Sequence, residues 1–129
     1  MDTKLSAHIM KSDCTCRCCG HIGPYPANLT ILLKKLEELW VYLKNKYKRI
    51  PKLHFTCVYR CPAHNRAEGG VEGSYHTLDF AADIWENYLG VDELAKACEA
   101  VGFHGVGRYY TLEFVHTDMG GEPGRRWIE

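Results

Sequence analysis

Residues 29–43 read LTILLKKLEELWVYL, and ten positions further on residues 53–59 read LHFTCVY. In the first stretch Leu29, Leu32, Leu33, Leu36, Leu39, Trp40 and Leu43 recur at three-and-four spacing, which lines one helical face with apolar side chains. Lys34, Lys35, Glu37, Glu38 and Lys44 supply the wetted face, and the prolines at 24 and 26 mark the approach, so the pattern predicts a helix of about 18 residues. The second stretch is rich in aromatic and β-branched residues and alternates, which predicts a half-buried strand ending at Arg60, with Pro62 stopping it. Each element has one apolar face to cover, and the economical solution is a sheet backed by helices.

Working outward from this pair, Ala63 to Thr77 carries Gly69, Gly70 and Gly73 among polar residues and reads as a long loop, a length that in a small domain usually serves function. Phe80 to Ile84 reads as a short buried strand. Asp92 is suited to cap a second helix running to Val101, with Leu94, Ala95, Cys98 and Val101 inward and Gly102 as its stop. Val106 to Tyr110 and Phe114 to Asp118 read as two further strands. The expected fold is therefore α+β, a short antiparallel sheet backed by helices, in one domain spanning residues 1–129.

Hydrophobic residues make up 46% and charged residues 25% of the 129, enough apolar material to close a core. Sixteen basic and sixteen acidic residues cancel, so the excess of cations that tracks a phosphate backbone is missing and nucleic acid is not an expected partner. Residues 1–13 interrupt their apolar positions with Asp2, Lys4, His8 and Lys11, unlike a signal peptide, and no apolar run is long enough to span a membrane. The expectation is a monomer made in the cytoplasm.

A zinc ion that hydrolyses amides needs three protein ligands and one open position, and two histidines with one carboxylate is a standard set. His76 follows the glycine loop, Asp83 comes seven residues later on the short strand, and His116 arrives on the last strand. Spacing alone does not separate such histidines from ordinary surface or hydrogen-bonded ones.

Three segments carry a resemblance: Tyr59-Arg60-Cys61-Pro62-Ala63-His64-Asn65; Gly73-Ser74-Tyr75-His76 continuing to Ala81-Ala82-Asp83-Ile84; and Phe114-Val115-His116-Thr117-Asp118. Together, with Gly102-Phe103 and Gly105 to Tyr109 between them, they resemble the zinc D-alanyl-D-alanine carboxypeptidases and L-alanyl-D-glutamate endopeptidases, in their small, phage-like branch. The resemblance implies a zinc metallopeptidase acting on peptidoglycan stem peptides, with one catalytic zinc on His76, Asp83 and His116. It also implies that Arg60 binds a substrate carboxylate or stabilises an oxyanion, and that the chain acts on the cell wall like a phage lysin. A non-catalytic zinc-containing binding module on the same scaffold is the alternative.

The general base has two candidates. Glu113 stands three residues before His116, as the base does in the family pattern, whereas strict strand alternation puts Asp118, not Glu113, on the same face as His116. Glu113 is the expected base, provided a bulge or strand start near Phe114 turns it toward the site, and Asp118 is then expected to hold the free ring N–H of a ligand histidine. Ser74 is expected to bind substrate or support the site. His64 and Asn65 either orient Arg60 or bond locally, and Tyr109, Tyr110 and Trp127 line a groove or fill the core.

Residues 14–20, Cys-Thr-Cys-Arg-Cys-Cys-Gly, read as a loop. Cys14, Cys16, Cys18 and Cys19, with Cys57 or Cys61 approaching from the strand end, have three readings: a second, structural zinc, one or two disulfides, or free thiols. Seven cysteines cannot all pair within one chain. Cys98, at an inward helical position, reads as a core residue.

Overall fold

The computed structural model describes residues 2–129. Along them run α1 (Lys11–Cys14), α2 (Pro26–Tyr47), β1 (Leu53–Cys57), α3 (Pro62–Ala67), a 3-10 turn (Tyr75–Leu78), β2 (Ala81–Glu86), α4 (Val91–Val101), β3 (Gly105–Tyr109), β4 (Phe114–Asp118) and β5 (Arg125–Ile128). The leucine stripe forms α2, with Pro26 in its first turn, where a missing N–H costs nothing, and Lys48 closing it in a left-handed conformation. Leu29, Leu32, Leu33, Leu36, Leu39 and Leu43 are buried. Trp40 lies at the edge of that face, covered by the ring of His8 stacked 3.5 Å away.

The sheet has the order β1-β2-β4-β3-β5. Its first four strands pair antiparallel, as expected, and β5 adds to β3 in parallel. That fifth strand escapes a reading of the sequence because Arg125-Arg126-Trp127-Ile128 is short, polar and only partly buried. Ala82, Ile84, Val106 and Val115 are wholly buried and belong to one core with α2 and α4. The opposite face is open and carries polar side chains.

Beyond shifted ends, such as β1 stopping at Cys57 and not at Arg60, three expected elements differ. The segment 63–77 is not loop throughout: Pro62 opens α3 and Cys61 caps it by accepting the His64 N–H, while Ser74 caps the 3-10 turn in the same way. Pro62 thus starts a helix as well as ending the strand region. The second helix begins at Val91 with Gly90 as its cap, and Asp92 lies inside the first turn, where its carboxylate meets Arg108 and Tyr110 instead. The cysteine segment is not wholly loop, since Cys14 ends α1.

Register converts this sheet into rows. One row crosses all five strands through Cys57, Asp83, His116, Gly107 and Trp127, and the adjacent row runs through Ala81, Asp118, Gly105 and Arg125. Cross-strand neighbours in a row have their Cβ atoms about 5 Å apart, so side chains of one row meet on one face. Glycine at 105 and 107 is required for packing: a side chain at Gly105 would run into Asp118, and one at Gly107 into Trp127. Because α2 supplies the largest apolar contribution to the core, Leu39→Ala is expected to cost about 2–5 kcal/mol, read as a lowered urea midpoint of the metal-free protein.

Candidate metal centre

His76 is placed by the 3-10 turn. Its backbone N–H donates to Ser74 Oγ at 3.3 Å, its carbonyl accepts the Arg60 N–H at 3.1 Å, and its ring is buried, with Nδ1 donating to the Val58 carbonyl at 2.8 Å. That bond turns Nε2 toward Asp83 Oδ1, 3.2 Å away. His116 lies directly across from Asp83 in the register, and its Nδ1 is 3.1 Å from the same oxygen. Its Nε2 donates to Asp118 Oδ2 at 2.8 Å. The two rings stand edge to face, 5.2 Å apart at 76°. Each imidazole therefore has one nitrogen fixed by an oxygen acceptor and the other turned toward a shared carboxylate oxygen, the arrangement that orients histidines for a metal.

This donor set fits zinc, which takes imidazole nitrogen and carboxylate oxygen in a site with an open position. Asp118 is wholly buried and engaged on all sides: it accepts from His116, from the Gly120 N–H at 3.2 Å and from the Arg125 guanidinium. The Arg125 guanidinium also lies over the Tyr75 ring. The result is a braced carboxylate that holds the His116 ring.

The site opens into a cleft of about 480 Å³ whose walls include Arg60, Ser74, Tyr75, Tyr109, Phe114 and Trp127. Arg60 is held by a bond from Nη1 to Asn65 Oδ1 at 3.1 Å, and Asn65 in turn donates to the Val71 carbonyl. Asn65 thus makes both bonds read for it, one to Arg60 and one to the nearby backbone. A side chain at Gly70 would strike both Asn65 and Arg60, which explains one glycine of the loop. Tyr109 and Trp127 line the cleft, joined by a bond from Trp127 Nε1 to the Tyr109 hydroxyl, whereas Tyr110 faces Asp92.

Glu113 is not brought into this cluster. It occupies a left-handed conformation, φ 58°, immediately before β4, and its exposed side chain lines a neighbouring hollow with Trp85, Glu86 and Leu89. Leu112 and Phe114 on either side of it do line the metal cleft. The cysteines divide as well. Cys14 is buried in the hydrophobic core, where burial pushes its thiol up to about 12, and it is no part of the sulfur cluster expected for it. The sulfurs of Cys16, Cys19 and Cys61 all lie within 4.8 Å of one another, and no disulfide links any of the seven cysteines.

Cys57 was not singled out for the catalytic site, yet its sulfur is 3.6 Å from His76 Nδ1 and groups with His76 and Asp83. Alternation from Phe55, which pairs with core Ile84, would turn Cys57 to the core. An irregularity between Phe55 and Cys57 reverses that and pairs Cys57 with Asp83 on the open face. Arg125 was missed because β5 was missed.

In the metal-free chain both rings lie between oxygen acceptors. Burial disfavours the His76 imidazolium, but the Asp83 charge and hydrogen bond outweigh it, and the pKa is pushed up to about 10. Burial likewise opposes ionisation of Asp83, yet the His76 charge and the His116 bond hold its carboxyl far below the usual range. A ligand imidazole must give up its proton, so metal and proton compete at His76. Zinc affinity is expected to rise with pH through the neutral range toward about 10, and binding at neutral pH to release protons. Calorimetry in buffers of different ionisation heat reads this directly; a binding heat independent of buffer contradicts it. His76→Ala, Asp83→Ala and His116→Ala are each expected to abolish that binding isotherm at the catalytic site.

The Peptidase M15 family model matches residues 5–118, which include every residue of the His76–Asp83–His116 cluster. No curated protein and no solved structure matches the chain. A match over most of the chain, ending on a strand that carries a metal-ready histidine, places the protein in the Peptidase M15 family of zinc peptidoglycan metallopeptidases.

Proposed function

We propose that the protein hydrolyses a peptide bond involving a D-amino acid in peptidoglycan stem peptides, as an endolysin-like D,D-carboxypeptidase or endopeptidase. It does so as a monomer with one catalytic zinc on His76, Asp83 and His116. The observation that carries this reading is the turning of two imidazole nitrogens, one buried and one partly buried, to one Asp83 oxygen at the base of an open cleft, with an arginine on its wall. No helix among the described residues is long and apolar enough to cross a membrane. Synthesis in the cytoplasm and action on the wall belong to the same proposal.

Zinc, when bound, supplies a Lewis acid for the scissile carbonyl and brings the pKa of water toward neutrality. The chain supplies the rest. Arg60, tied at one nitrogen to Asn65, has donors left for a stem-peptide carboxylate or a developing oxyanion. Tyr109 and Trp127 give the cleft a flat wall against which a stem peptide packs. Ser74 lines the cleft near His76 and donates or accepts there. Glu113 takes the proton of the attacking water and passes it to the leaving amine. Two facts support Glu113 over Asp118: Asp118 is already committed to His116, Gly120 and Arg125, and the Leu112–Phe114 backbone that carries Glu113 borders the cleft. To act, the Glu113 side chain must leave the hollow beside Trp85.

That same displacement favours a second reading, a zinc-containing module that binds stem peptides without cutting them. Incubating the zinc-loaded protein with defined stem peptides and identifying new termini by mass spectrometry separates the two: cleavage next to a D-residue is expected, and binding without cleavage establishes the module. Glu113→Gln is expected to retain zinc and lose at least about a hundredfold in turnover, whereas Asp118→Asn weakens zinc affinity along with rate. Wild-type turnover in Glu113→Gln, with a zinc-loaded but inactive Asp118→Asn, exchanges the two roles. Arg60→Ala is expected to lower kcat/KM by about tenfold to a hundredfold, the scale of one lost charged hydrogen bond, with the metal content unchanged.

A further inference from the structure

We infer that the protein holds a second, structural zinc on Cys16, Cys19, Cys61 and His64, which fastens the N-terminal cysteine loop to the segment that carries Arg60. Three thiols gathered within 4.8 Å of one another are not the preparation for a disulfide, which joins two and strands the third. The spacing suits a metal. A tetrahedral ion with bonds of about 2.3 Å to sulfur and about 2.0 Å to nitrogen separates a sulfur ligand from a nitrogen ligand by about 3.5 Å. Cys16 Sγ and His64 Nδ1 are 3.6 Å apart, and His64 stands just outside the three sulfurs that lie within 4.8 Å of one another, so its ring closes on the ion as the fourth ligand.

His64 has the second feature of a ligand histidine, a carboxylate on its far nitrogen: Nε2 is 3.2 Å from Glu68 Oε1. The sulfurs are served too, with the Cys61 N–H donating to Cys16 Sγ at 3.3 Å and the His64 N–H to Cys61 Sγ at 3.4 Å. Cys16 and Cys19 are joined by a tight turn in which the Gly20 N–H reaches the Cys16 carbonyl, and Gly20 has φ 76°. Cys14 is excluded by its place in the core. Cys18 and Cys19 are both exposed and adjacent, and two neighbouring cysteines do not both reach one tetrahedral ion without strain; the sulfur that groups with those of Cys16 and Cys61 is that of Cys19.

The position gives the ion a purpose. Cys61 directly follows Arg60, and α3, which begins at Pro62, carries both His64 and the Asn65 that holds the Arg60 guanidinium. An ion there joins residues 16–19 to this short helix, whose six residues are too few to be stable by themselves. The site is independent of the catalytic ligands, so its presence does not depend on the reaction proposed above.

Metal analysis of the reduced full chain is expected to give two zinc ions, and His76→Ala and Cys61→Ser one each. Cobalt-loaded Cys57→Ser/His76→Ala, which removes the one sulfur beside the catalytic cluster, is expected to show thiolate-to-cobalt charge-transfer absorption, which nitrogen and oxygen ligands alone do not produce. Cys18→Ser is expected to keep that absorption and both metals, and His64→Ala to weaken the second site. One metal in reduced wild type, two metals without the charge-transfer band, or an intact mass lighter by the two thiol hydrogens that a disulfide loses, in protein purified without oxidant, would each overturn the inference. Because the cobalt spectrum is also read on wild type, misfolding of a cysteine variant does not shield the inference from failure. Loss of the second metal from Cys18→Ser together with its retention in His64→Ala would overturn the ligand set.

Discussion

The open face of the sheet is organised around one oxygen atom, Asp83 Oδ1, to which two imidazole nitrogens are turned at 3.2 and 3.1 Å. All three side chains are largely removed from water, where an uncompensated charge is too costly to keep. Either protons or a divalent cation must balance them, and the surroundings serve both states. The Val58 carbonyl and Asp118 fix the outer nitrogens, and Arg125 balances Asp118. Gly105 and Gly107 are the corresponding constraint on the backbone, since a Cβ at either would displace Asp118 or Trp127.

Much of the fold is legible in the sequence where a periodic pattern runs long enough to be unambiguous. The α2 stripe needed only the leucines, and its ends moved outward because Pro26 and Lys48 act through backbone conformation and not through hydrophobicity. β4 matched its expected limits, because Phe114 to Asp118 alternates cleanly between core Val115 and open-face His116. The illegible parts are short. α3 lies among glycines and is held by a sulfur cap, and β5 contains two arginines and closes the sheet in parallel. Neither leaves a periodic trace, since both are formed by tertiary contacts and not by their own propensity.

Within the site, resemblance pointed to His76, Asp83 and His116, and the structure brings these three side chains together. Their supports were harder to foresee. The carbonyl of Val58 has no signature in a side-chain pattern, and Cys57 reaches the open face only through an irregularity in β1. Glu113 shows the limit from the other direction. Its spacing from His116 follows the family pattern, but a left-handed backbone at the strand start decides where its carboxylate goes, and spacing carries no information on that rotation.

The pleat of β4 has a consequence for how this chain can change. Val115 and Thr117 turn to the core side of the sheet, while His116 and Asp118, the carboxylate that braces it, turn to the cleft, so core and site residues are interleaved one by one along the same strand. A slip of one residue against β2 would bury the cleft side chains and expose the core at once. Each face therefore proofreads the other: no partly correct pairing keeps a core while losing the site. Single-residue insertions in this strand should be excluded from descendants of the sequence, whereas length variation has room in the exposed residues 121–124, which lead from this strand to β5.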